Sequence, residues 1–212
     1  MREHRDTGPE PAMAAAGARD GAEDGRPLAG GHALAWARAH AQTRGGRVSE
    51  ILPGLLLGNK MIAADRPGLD ACGVAAIVNV GGGANRFDGD GAIAYHRIVV
   101  EDHVDASLLP HWPAACEFVR GHMAAGRTVL VHCKGGMSRS PATVLAFLVR
   151  VCGLSLMEAW AVVVAGRPTI RINTTFRREL VAWAGDRVEP SERPPKWVAS
   201  VWGRFVAGVP GV

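Results

Sequence analysis

The chain has 212 residues, 48% of them hydrophobic and 21% charged, with a net charge of +4. This composition suits one folded α/β-sized domain with polar flanks and excludes a chain disordered throughout. No run of about 20 apolar residues is present to span a membrane, the first ten residues lack the apolar stretch of a secretory signal, and a charge of +4 falls short of a nucleic-acid-binding signature.

Residues 1–46 are rich in Ala, Gly, Arg, Asp and Glu and nearly devoid of β-branched and aromatic side chains. They read as a flexible leader with a short Ala-rich helix over 33–41. The folded region, 47–186, opens near Val48. Leu55–Leu57 reads as a strand closed by Gly58 and Asn59, Ala76–Val80 as a buried strand ending at Gly81–Gly83, and Tyr95–Val100 as a third strand. Trp112, Ala115, Cys116, Val119 and Met123 recur at helical spacing, and Gly126 ends that helix. Thr128–Val131 is a fully apolar strand. The apolar run Ala142–Val151 is too long for most strands and predicts a buried central helix. Ser155 and Glu158 have capping-box spacing before a helix that stops at Gly166. Asn173 caps a last helix with Phe176, Leu180 and Trp183 inward, stopped by Gly185. Strands alternating with helices predict an α/β fold, a mainly parallel sheet flanked by helices. Residues 187–212 form a tail: a proline-rich linker over 190–195, then Trp197, Val198, Val201, Trp202 and Phe205 as one apolar stripe.

Cys72, Cys116, Cys133 and Cys152 contain no CxxC pair, which argues against a disulfide framework or a zinc site and for a reducing cytoplasmic setting, the nucleus being compatible. Cys72, Cys116 and Cys152 read as core. Cys133 is different. A buried strand delivers it to the carboxyl edge of the sheet, where open α/β sheets bind ligands. It is followed by Lys134, Gly135, Gly136, Met137 and Ser138, then Arg139 at the start of the central helix. Two glycines let successive N–H groups turn inward as a nest for a tetrahedral oxyanion, and the helix adds its positive end. Arg139 supplies a fork that binds two phosphoryl oxygens at once. The same field favours thiolate over thiol, so Cys133 is a candidate nucleophile. Ser140 can donate to its sulfur. His132 braces the loop, since a thiolate needs no base.

His132-Cys133-Lys134-Gly135-Gly136-Met137-Ser138-Arg139-Ser140 resembles the signature loop of the protein tyrosine phosphatase superfamily, in the form of its dual-specificity branch. Ile51–Gly58 resembles that branch's opening strand-turn-strand, Ala76–Val80 its buried strand, and Arg167-Pro168, Ile170, Asn173 and Phe176 its closing segment. The departures are Ile172, where proline is usual, and the Gly81–Gly83 run, both expected at the rim of the site. The resemblance implies a metal-free and cofactor-free protein phosphatase with a phosphorylated protein as partner, acting through a cysteinyl-phosphate. The loop from Lys134 to Arg139 would hold the phosphoryl group. The resemblance also implies an aspartate as general acid just after the third strand. Asp102 stands 31 residues before Cys133 and six before Leu108, as that placement requires; Asp105 is the alternative and Glu101 the remaining carboxylate. Lys134 and the basic balance keep open the same chemistry on a phosphoinositide, a phosphoglucan or an RNA 5′-phosphate. A phosphate-binding scaffold without turnover would lack the Cys, the Arg or the acid, and this chain retains all three.

Overall fold

The computed structural model describes residues 46–89 and 91–187. The expected leader up to residue 45, the helix over 33–41, the 190–195 linker and the 197–205 stripe lie outside them. Among the described residues, five strands form one sheet in the order β1-β2-β5-β3-β4. The strands β1 (Val48–Leu52) and β2 (Leu55–Asn59) make an antiparallel hairpin. Those numbered β3 (Val74–Val80), β4 (Ala94–Ile98) and β5 (Thr128–Cys133) run parallel to β2, with β5 at the centre. The α-helices that join and follow them are α1 (Lys60–Ala63), α2 (Arg66–Ala71), α3 (Trp112–Ala124), α4 (Arg139–Arg150), α5 (Leu156–Gly166) and α6 (Thr174–Ala184). The α/β class and the mainly parallel sheet are as the sequence predicts.

Side chains on a strand alternate between faces, and the two faces here have different covers. Leu55, Leu57, Ala76, Val78, Val129 and Val131 join the main core with α3, α4, α5 and α6, while Leu56, Ile77 and Leu130 face Ile62 of α1 and Leu69 of α2 in a smaller one. Helix α4 is buried from Arg139 to Val149. Each of its large apolar side chains contributes about 1.5–3 kcal/mol by leaving water, which anchors the helix whose first residue is Arg139. The α5 capping box is complete in both directions, and Asn173 caps α6 by accepting from the Phe176 N–H.

The structure departs from the sequence reading at definite places. Gly58 and Asn59 do not close β2 but belong to it, paired with His132 and Cys133 of β5. The Asn59 side chain then caps α1, accepting from the N–H groups of Met61 and Ile62. Helices α1 and α2 are too short to show a 3.6-residue period; their signals are the caps Asn59 and Asp65. The third strand ends at Ile98, and Val99 and Val100 leave the sheet as the start of a loop. Ile172 is not a rim residue: it is buried in the main core. Of the four cysteines, Cys72 and Cys152 are only half-buried. Trp183 is also half-buried, edge-on to Trp112 with ring centroids 5.7 Å apart, and its indole N–H donates to the Ala146 carbonyl.

Candidate active site

The register Asn59↔Cys133 and Asn79↔His132 sets the loop after β5 in the crevice between the ends of β2 and β3. Cys133 is 3% exposed and lines that crevice. The sulfur accepts from the Gly136 N–H at 3.2 Å and from the Ser140 hydroxyl at 3.2 Å. Burial pushes the thiol pKa up. The Ser140 hydroxyl, the Ser140 and Gly136 N–H groups and the Arg139 charge push it down, and together they prevail: Cys133 lies below the ordinary thiol value of 9.0. By contrast, Cys116 and Cys152 are raised to about 12 because burial outweighs anything that opposes it there.

Gly136 carries the turn, with a φ of +68° that side chains disfavour. A Cβ there would also sit 2.7 Å from the Gly58 carbonyl oxygen and 2.8 Å from the Arg167 guanidinium. Arg167 lies behind the loop, only 5% exposed, and its Nε–H donates to the Gly136 carbonyl at 2.8 Å. Its other donors reach the Gly46 carbonyl and the Ser49 hydroxyl. With that carbonyl held outward, the N–H groups face in. Among the described residues, those of Gly135, Met137, Ser138 and Arg139 have no protein acceptor, which leaves them as donors for an oxyanion. Lys134 and Met137 are exposed, so their side chains are no part of the buried shell around the sulfur, and within the loop their contribution is backbone.

Arg139 is buried, and one guanidinium nitrogen donates to the Val100 carbonyl at 3.0 Å. A Cβ on Gly81 would come within 3.3 Å of the same nitrogen, so glycine there gives the guanidinium its room. Asp102 follows on the loop that Val100 begins. Its Oδ1 accepts from the Ser138 hydroxyl at 2.8 Å and from the Asn173 side-chain amide at 3.0 Å, while Oδ2 lies 3.7 Å from Arg139 Nε. Both donors converge on Oδ1, which leaves Oδ2 as the oxygen that faces the guanidinium. Asp105 points elsewhere: its side chain is 88% exposed and pairs with His103. Glu179 of α6 holds the far end of the same loop, accepting from the Ser107 hydroxyl and from the Leu108 and Leu109 N–H groups.

His132 is buried on the opposite face of β5, with Nδ1 3.5 Å from the Cys133 carbonyl. Burial lowers its pKa to about 4, against the smaller raising effect of that carbonyl, so the ring is neutral and donates there. Because the folded-state value lies below the ordinary 6.5, this group's stabilising contribution is full above about pH 6.5 and is lost as pH falls toward 4. The loss is on the order of 3 kcal/mol. Urea denaturation at pH 7 and pH 4.5 should show it, and His132→Asn should remove most of the difference. An unchanged slope in that variant would assign the pH dependence to other groups.

The family model for the dual specificity phosphatase catalytic domain matches residues 55–186. The chain belongs to the dual specificity phosphatase family. It is 39% identical over 139 residues to the rat protein phosphatase Slingshot homolog 3, covering 66% of this chain and 21% of that one. It is 36% identical over 147 residues to the Drosophila melanogaster dual specificity protein phosphatase Mpk3, covering 68% and 36%. The crystal structure of human DUSP28 superposes with a TM-score of 0.63 at 31% identity, covering 69% of this chain and 98% of that one. The chain thus spans roughly a fifth to a third of these two curated relatives and nearly all of the DUSP28 chain.

Within this dual specificity phosphatase domain, the sequence reading places Cys133, Arg139, Ser140 and Asp102 as one group, and in space they lie together. It misses Arg167 and Asn173 as partners of the site. Both stand in the closing segment of the resemblance, and Asn173 also reads as a helix cap, but periodicity cannot tie a buried arginine or a cap to a loop 30 or more residues away. That second role is testable. Asn173→Ser keeps a good N-cap but cannot reach Asp102. Its turnover of phosphoserine peptide should fall by about tenfold or more, the weight of one hydrogen bond to a charged group. Hydrolysis of an activated aryl phosphate, which needs no acid, should change little. Equal losses on both substrates would make Asn173 a cap alone.

Proposed function

We propose that this chain hydrolyses phosphotyrosine and phosphoserine or phosphothreonine in proteins through a cysteinyl-phosphate. The observation that carries the reading is the sulfur of Cys133 accepting from Gly136 and Ser140 next to Arg139, with Asp102 fastened by Ser138 and Asn173. The thiolate attacks phosphorus in line. Loop N–H groups from Gly135 to Arg139, with the guanidinium, hold the equatorial oxygens through the transition state. Asp102 gives its carboxyl proton to the departing alkoxide or phenoxide. Water then attacks the phosphocysteine and loses its proton to Asp102, and the sulfur leaves as a thiolate stabilised by the Ser140 hydroxyl. No step needs a metal or cofactor. The phosphorylated protein is the partner, and the cytoplasm or nucleus is the setting that keeps such a thiolate reduced.

The test is a panel of phosphotyrosine, phosphoserine and phosphothreonine peptides, a phosphoinositide and a phosphorylated glucan with the purified protein. Turnover of the peptides above the other esters is expected; a clear preference for lipid or glucan would overturn the protein-substrate reading. Peroxide should also inactivate the enzyme, and thiol reductant should restore it, because an accessible low-pKa thiolate is oxidised first to sulfenic acid. Full activity after peroxide would contradict the lowered thiol pKa.

A further inference from the structure

The segment that carries Asp102 is poorly anchored by its own side chains. From Glu101 to Ser107 none of them is buried, and the apolar anchors lie on either side, Val100 before and Leu108 after. Hydrogen bonds to other elements therefore set its position. Two come from the Cys133 loop and the start of α4: Ser138 donates to Asp102, and Arg139 donates to the Val100 carbonyl. Others come from α6 and its cap. Asn173 donates to Asp102 and, at 3.5 Å, to the His103 carbonyl, and the Thr175 hydroxyl donates to the Val104 carbonyl. Thr175 and Glu179 have the i, i+4 spacing that puts both on one face of that helix, alongside the segment.

Glu179 holds the end of the segment. Its Oε1 accepts from the Ser107 hydroxyl, and its Oε2 accepts from the N–H groups of Leu108 at 2.9 Å and Leu109 at 3.3 Å. These two N–H groups open the 3-10 turn Leu109–His111 that leads into α3, and neither that turn nor α3 has a capping side chain of its own. A helix start presents unpaired donors and a positive partial charge, which a carboxylate satisfies better than a neutral acceptor. Helix α6 supplies that carboxylate from 71 residues away. Because the Leu108 side chain is fully buried, the bond to its N–H ties the exposed stretch to a fixed point of the core.

We infer that Glu179 is a positioning residue for proton transfer by Asp102. It touches neither the phosphate nor the reacting atoms and acts through the segment. With residues 107–109 held, Asp102 stays where Ser138 and Asn173 take Oδ1 and Oδ2 faces the guanidinium. The inference rests on the reading of Asp102 as the general acid and adds the residue that keeps this acid within reach of the leaving oxygen.

The experiment measures kcat/KM for a phosphoserine peptide and for a series of aryl phosphates of rising phenol pKa. The proteins are wild type, Glu179→Ala, Glu179→Gln, Asp102→Asn and Asp102→Asn/Glu179→Ala. With the acid in place, the rate should depend little on the leaving phenol. Glu179→Ala should lose about tenfold on the peptide, the weight of hydrogen bonds to a charged group, and its rates should fall as the phenol becomes less acidic. Its rate on the most activated ester should stay within about twofold of wild type, and its dissociation constant for vanadate should not move. Glu179→Gln keeps an acceptor for the two N–H groups and should restore most of the loss. Once Asp102 is replaced, Glu179 has no acid left to position, so the double variant should be no slower than Asp102→Asn alone. Ser107→Ala removes one of the three bonds and no buried group; it should show the same selective loss at about threefold, which keeps the test in force if Glu179→Ala fails to fold. Equal losses across all esters, or a double variant slowed by the product of the two single effects, would make Glu179 a cap of α3 alone and overturn the inference while leaving Asp102 as the acid. An Asp102→Asn protein whose loss does not depend on the leaving group would instead remove the acid reading and the inference with it.

Discussion

Replacing Cys133 with serine should reduce turnover on the order of 10⁵–10⁶-fold, the scale of losing a nucleophile that works as one unit with its activators. A hydroxyl is far less acidic than a thiol, and the two N–H groups, the Ser140 hydroxyl and the Arg139 charge that hold the thiolate cannot ionise it. No base is hydrogen-bonded to the Cys133 side chain, because the buried His132 ring donates a hydrogen bond to the Cys133 carbonyl instead. Binding should survive. The inward N–H groups and the guanidinium belong to residues other than Cys133, and the substitution removes none of them. Titration of the variant with inorganic phosphate or vanadate should give a dissociation constant within about tenfold of the wild type's, which corresponds to about 1.4 kcal/mol. Residual turnover near the wild-type rate would end the cysteinyl-phosphate mechanism. In the wild type, activity should rise with pH through a thiol pKa below 9.0, since the thiolate is the reacting form.

Asp102→Asn should slow hydrolysis of phosphoserine and phosphotyrosine peptides by roughly 10²–10⁴-fold, the usual contribution of a positioned acid. The substitution is nearly isosteric, and a side-chain carbonyl in place of Oδ1 still accepts from Ser138 and Asn173. What disappears is a carboxyl oxygen, on the side of Arg139, that can carry and give up a proton. A serine alkoxide or a phenoxide of pKa about 10 leaves badly without it, whereas an activated phenol does not need it. The effect on an activated aryl phosphate should therefore be small in the first step, and the acidic side of the pH profile, set by Cys133, should persist. Asp105→Asn should be close to neutral, because that side chain faces solvent and His103. A large loss from Asp105→Asn with little from Asp102→Asn would show that the other carboxylate supplies the proton.

Much of the site is legible in the chain because its parts are local. The apolar strand, Cys133, two glycines and the arginine that opens a helix lie between Thr128 and Arg139. Strand ends and loops convert such spacing directly into geometry. Asp102 is different in kind. Its distance from Cys133 along the chain suggests it, but the choice over Asp105 follows from where the loop after β4 is tied: Val100 to Arg139, and Leu108 to Glu179.

The sequence by itself determined the α/β class, the central buried helix, the caps of α5 and α6 and the loop around Cys133. Each depends on contacts within about one turn of helix or on alternation along one strand. Only the tertiary structure decided that Asn173 aims Asp102 from 71 residues away, that Arg167 holds the Gly136 carbonyl from 31 residues away, that Gly81 makes room for Arg139 and that Ile172 is core. These relations join segments that the order of strands in the sheet brings together, and no local pattern of hydrophobicity or capping records which strand ends become neighbours.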